Sequence, residues 1–205
     1  MKKFIPPVLI VLAIMFGCTP DANVTSPDNS NYQNAKLIKL PTMESGLRIE
    51  ADLIRYKYVN GYNGGTFSES FEFQSVNGTV SIISQLVFPA NSFVGNKNIS
   101  QTFNTETASL QFGPPMVFNN PVQYTLTVSG LDLTGLTPEM LDFVYVAQDG
   151  SITGVEYDSI TVNIATGTLT VNNALLHHFS RYGFVNKDDE GNEWSCFNNR
   201  ILITI

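Results

Sequence analysis

The sequence predicts an all-β protein, an antiparallel β-sandwich, and three observations carry that reading. The 205 residues are 43% hydrophobic but only 14% charged, too few charges for a set of amphipathic helices with a charged outer face. Phe (14) and Tyr (8) are abundant, and aromatic residues suit a pleated, half-buried surface. Short apolar–polar alternations recur at roughly ten-residue spacing between turn residues, the rhythm of a sandwich.

The N-terminus comes first and is not part of that rhythm. Met1-Lys2-Lys3 is a positive start, and residues 4–17 form a charge-free run. The run is shorter than the ~20 apolar residues of a transmembrane helix and has the size of a secretory signal core. It stops at Gly17-Cys18, before Thr19-Pro20-Asp21. This arrangement resembles a bacterial lipoprotein signal, cleaved before a cysteine that receives lipid. The resemblance implies a signal peptide over residues 1–17 and lipid on Cys18. It also implies a cell-envelope location, on the outer rather than the inner membrane. Cys196 is then left as a buried or free thiol. A Cys18–Cys196 disulfide is the alternative if Cys18 carries no lipid.

Residues 19–33 are rich in Asp, Asn, Ser, Thr and Pro, with little to bury. They read as a tether, and residues 18–46 are assigned to the lipidated cysteine and this polar segment. A coil of that kind spans roughly 20–25 Å.

The sandwich is expected over residues 47–185. Leu47, Ile49, Ala51 and Leu53 alternate with charged residues, and after a phase slip Ile54, Tyr56 and Tyr58 carry the apolar side. Residues 60–65, with three glycines and two asparagines, are a turn. Phe67, Phe71 and Phe73 alternate toward a common core, and Asn77-Gly78 is a hairpin signal. Val80, Ile82, Leu86 and Phe88 follow and stop at Pro89. Ala108, Leu110 and Phe112, then Val122, Tyr124, Leu126 and Val128, repeat the alternation. Thr137-Pro138-Glu139 fits a short helical turn with Pro at its first position. Residues 143–147 are a strand, as are the segments around Ile160–Ile164 and Leu169–Val171. A last strand runs over residues 177–185. Residues 186–205 are a polar tail ending in Ile201-Leu202-Ile203-Thr204-Ile205, a possible edge strand by composition.

Three segments in order resemble a known family. Leu86-Val87-Phe88-Pro89-Ala90-Asn91-Ser92-Phe93 is similar to the strand end of ZU5-type domains. Leu110-Gln111-Phe112-Gly113-Pro114-Pro115, with Phe118 and Pro121-Val122, is similar to their central stretch. His178-Phe179-Ser180-Arg181-Tyr182 is similar to their terminal strand. The resemblance implies a ZU5-like β-sandwich that serves protein interaction or structure. It also implies a lesser role for His178-Phe179-Ser180, which is a self-cleavage site in some proteins with such domains. There Ser180 Oγ would attack the Phe179 carbonyl and His178 would take its proton.

Other chemistry is sparse. The formal charge of −7 and pI of about 4.7 argue against a nucleic-acid surface. His177 and His178 point to opposite faces of a strand, so they do not share a metal. Asp188-Asp189-Glu190-Gly191-Asn192-Glu193 lacks the alternation of a calcium loop and reads as a solvated turn. No serine-hydrolase elbow, zinc-protease helix motif or phosphate loop occurs. The expected function is therefore a non-enzymatic, membrane-tethered lipoprotein with no cofactor. Its partner is a protein, or a glycan if Tyr56, Tyr58, Tyr62 or Trp194 stand exposed.

Overall fold

The computed structural model describes residues 32–42 and 54–187. Cys18, residues 43–53, the acidic cluster from Asp188, Trp194 and Cys196 lie outside them. The fold is an all-β sandwich of two antiparallel sheets. The strands are β1 (Lys36–Leu37), β2 (Ile54–Asn60), β3 (Gly65–Ser75), β4 (Gly78–Phe88), β5 (Asn96–Phe103) and β6 (Ser109–Gly113). They continue with β7 (Val117–Ser129), β8 (Leu141–Val146), β9 (Ile152–Gly154), β10 (Ser159–Asn163), β11 (Thr168–His178) and β12 (Arg181–Asn186). One sheet runs β2-β5-β6-β12-β8-β9, with β1 added beside β12; the other runs β10-β11-β7-β4-β3.

The expected alternations fill the space between the sheets. Phe67, Phe71 and Phe73 of β3 are buried, as are Val80, Ile82, Leu86 and Phe88 of β4. Val122, Tyr124, Leu126 and Val128 of β7 are fully buried. The β3–β4 hairpin pairs Ser75 with Gly78, one residue short of the Asn77-Gly78 turn expected, and its loop is Val76-Asn77. Pro138 opens the short helical turn, a 3-10 turn over Pro138–Met140.

Three features depart from the sequence reading. First, the segment assigned to the tether contributes to the domain. Lys36 and Leu37 pair with Asn186 and Val185, and Ile38 and Leu40 are buried in the core. Apolar residues spaced by two among polar ones were enough to add a short strand where β6 leaves β12 uncovered. Second, the strand expected over residues 177–185 is two strands in different sheets. His178 ends β11 against β7, and Arg181 begins β12 between β6 and β8. Phe179 lies between them and is buried, its ring 4.8 Å from Phe118 and 5.4 Å from Phe112. Burying that ring is what carries the chain across the core.

Third, Ile54, Tyr56 and Tyr58 do not face the core. They point outward from β2, and the opposite side chains Arg55 and Lys57 point toward the other sheet. Lys57 Nζ donates to the Thr66 carbonyl oxygen at 2.7 Å, and Arg55 Nε lies 3.9 Å from Glu69 Oε2. Thr66 and Glu69 belong to β3, the edge strand of the facing sheet. Both sheets therefore end on this side of the sandwich, and long charged side chains close the gap between them. Inward-pointing charges on edge strands also discourage edge-to-edge pairing with another chain.

Candidate recognition face and the His-Phe-Ser crossing

The outward face of β2 is built by its edge position. Val59 is the one residue of β2 whose side chain reaches the core, and on the other side Tyr56 and Tyr58 are 62% and 69% exposed. Tyr56 stands opposite Ser100 of β5, and Tyr58 opposite Asn98. Directly opposed side chains on one face are close enough to act together. The polar strip continues inward, since Thr102 pairs with Gln111 and Ser100 with Gly113 of β6. Gly113 keeps the strip low: a Cβ there would stand 2.9 Å from the Ser100 hydroxyl. Beyond the end of β2, Tyr62 is also exposed.

The turn carrying Tyr62 is fixed rather than loose. The Asn60 side-chain oxygen accepts hydrogen bonds from the backbone N–H groups of Tyr62 and Asn63, both at 3.0 Å. Gly64 has φ of 71°, and a Cβ on it would meet the Phe88 carbonyl. The Asn91 N–H donates to the Tyr62 carbonyl oxygen. Asn91 itself sits at φ 63°, a conformation that asparagine tolerates better than most residues.

The His-Phe-Ser tripeptide occupies the crossing between sheets. The Tyr182 hydroxyl donates to the His178 carbonyl oxygen at 2.7 Å and lies 3.4 Å from His178 Nδ1. Burial, then the neighbouring Tyr145, push the Tyr182 hydroxyl far above the ordinary tyrosine range. The His178 ring also packs edge-on against Tyr145, with centroids 4.7 Å apart. The Ser180 carbonyl accepts from the Phe112 N–H at 2.9 Å. The arrangement thus turns His178 toward Tyr145 and Tyr182. Among the described residues, no hydrogen bond joins the Ser180 hydroxyl to His178. Two residues apart on one strand, they would share a face; the crossing removes that relation.

A second polar cluster was not legible in the sequence. Asp142 accepts from the Tyr32 and Tyr157 hydroxyls, each at 2.8 Å, and Lys187 Nζ lies 3.9 Å away. Burial, then the Asp142 hydrogen bond, raise both tyrosines far above their usual range. This cluster clasps the N-terminal segment onto the sheet. Its residues come from positions 32, 142, 157 and 187, so no local spacing announces it. An open cleft of about 310 Å³ at one end of the sandwich is lined by turn residues, including Gly130, Asp132, Thr134 and Gly167.

Among the described residues, no three His, Cys, Asp or Glu side chains gather as a metal site, and no helix is long and apolar enough to cross a membrane. No known protein family matches the chain, and no curated protein matches it.

Proposed function

We propose that the chain is an extracytoplasmic lipoprotein, held to a membrane by lipid on Cys18, that displays a non-enzymatic β-sandwich for recognition in the cell envelope. The observation that carries the recognition part is the exposed Tyr56–Tyr58 pair on the edge strand β2. Scattered exposed apolar residues are ordinary, but adjacent large aromatics on one face mark contact surfaces. Tyrosine suits such a surface, because it offers broad contact area, a polar tip and few rotatable bonds. The tether part rests on Gly17-Cys18 closing a charge-free run.

Two experiments test the two parts separately. Cys18→Ser should move the protein from the membrane fraction to the soluble fraction or leave it uncleaved. A variant that is cleaved normally and stays with the membrane refutes the tether. For recognition, a photo-crosslinking amino acid at position 58 should capture an envelope component in intact cells, and the same group at the buried position 126 should not. Equal yields from both positions refute the β2 face as the contact surface.

A further inference from the structure

We propose that the β2–β5 face binds a neutral, linear polysaccharide; this inference rests on the recognition reading above and names its ligand. Three observations select that class. The first is the aromatic pair. Tyr56 and Tyr58 are consecutive outward residues of one strand, so their side chains leave the backbone roughly 6.4–6.8 Å apart. That is the scale of one hexopyranose unit, so each ring can meet a successive sugar. A pyranose offers an apolar C–H face to an aromatic ring and hydroxyl groups at its rim. The exposed rings supply the first contact.

The second observation is what stands beside the rings. Opposite them are Ser100 and Asn98, with Thr102 next on β5 opposite Ile54, and then Gln111 on β6. Every one is a neutral side chain able to donate and accept, which is what hydroxyl groups need. The molecule as a whole is acidic, at −7, yet this strip carries no carboxylate. The charged side chains of β2, Arg55 and Lys57, are turned the other way and engaged with β3. The strip on β2, β5 and β6 is uncharged on a charged protein, a cation entering this face only beyond it at Arg181 of β12, opposite Gln111, and that favours a neutral ligand over a basic peptide.

The third observation is shape. Gly113 leaves the strip without a wall opposite Ser100. The face is part of a sheet surface at the sandwich's edge, not a pocket. A flat, open-ended surface suits the interior of a chain that runs past it, whereas a pocket would select a chain end or a single sugar.

The test uses affinity electrophoresis of the folded protein through gels containing hydroxyethylcellulose, xyloglucan, galactomannan or mixed-linkage β-glucan, with polygalacturonate as the charged control. At least one neutral polymer should retard the protein, and Tyr56→Ala or Tyr58→Ala should weaken that retardation by about tenfold. Tyr56→Phe and Tyr58→Phe should keep most of it, because the ring face remains. Both tyrosines are exposed, so the alanine variants should melt with the parent, and a matched melt shows that the loss is one of binding. Retardation by polygalacturonate alone, by no polymer, or equally in parent and alanine variants overturns the inference. A position-58 crosslink to an envelope protein with no polysaccharide binding overturns the glycan class and leaves the recognition reading standing. No crosslink and no retardation overturns both.

Discussion

The Ser84 hydroxyl of β4 donates to the Gln101 side-chain carbonyl of β5, directly across the core between the two sheets. Both residues are fully buried. The same hydroxyl lies 3.3 Å from the Tyr124 hydroxyl, and Gln101 Nε2 reaches the Phe67 carbonyl at 3.4 Å. A polar group in such a place is costly unless paired. Here the pairing joins one sheet to the other at a single register.

Gln101→Leu should therefore destabilise the domain by about 1–3 kcal/mol, because it strands buried hydroxyls. Adding Ser84→Ala should not cost its full single-mutant amount, with a coupling of about 0.5–3 kcal/mol between the two positions. Urea unfolding of the parent, both single variants and the double variant gives that coupling. Additive effects would show that the two residues do not act as a pin.

Phe67, Phe71 and Phe73 are all buried, and Phe71 also stacks on Phe103 of the facing sheet with centroids 5.8 Å apart. Phe67→Ala should cost about 3–5 kcal/mol, the usual range for removing a core ring. Tyr58→Ala, on an exposed site, should stay within about 0.5 kcal/mol. Chemical denaturation of the two variants compares them directly, and equal losses would place β2 and β3 wrongly.

Alkaline pH should weaken the fold. Burial raises Tyr124 far above the ordinary tyrosine value, and the same first cause acts on Tyr182, Tyr32 and Tyr157. Unfolded tyrosines lose their protons near pH 10. Above that pH the unfolded chain binds fewer protons than the folded one, so stability falls as pH rises and is unaffected by these groups below it. Urea midpoints measured from about pH 8 to pH 12 should be flat and then decline. Tyr124→Phe should make the decline shallower, by up to about 1.4 kcal/mol per pH unit. An unchanged slope would mean that Tyr124 ionises in the folded state.

The purified domain should remain one uncut chain. His178 Nδ1 faces Tyr182, and a serine without its base is a poor nucleophile. Intact mass after prolonged incubation should match the full polypeptide, and Ser180→Ala should change it only by the lost oxygen. A fragment beginning at Ser180 would contradict this and restore His178 as the base.

The sequence by itself determined that the chain is all-β and which side of most strands is apolar. Side-chain alternation is a local property of extended backbone, readable without knowing a strand's neighbours. Val122, Tyr124, Leu126 and Val128 announced their burial in this way, and Pro89 and Pro138 marked the end of β4 and the start of the 3-10 turn through fixed backbone angles. The tertiary structure alone decided where each strand lies in a sheet, and burial depends on that. Tyr56 and Tyr58 have the same period as core residues, but among the described residues β2 has a strand on one side only, and its inward face is occupied by Arg55 and Lys57 reaching β3. β5 escaped the sequence reading because its inward row is Ile99, Gln101 and Phe103, and Gln101 looks solvated until Ser84 is placed opposite it. The break between His178 and Arg181 was invisible for a related reason. His177 to Val185 reads as one strand, and only the cost of leaving Phe179 outside the aromatic core sends the chain from one sheet to the other. These are contacts between residues far apart in the chain, and no local pattern encodes them.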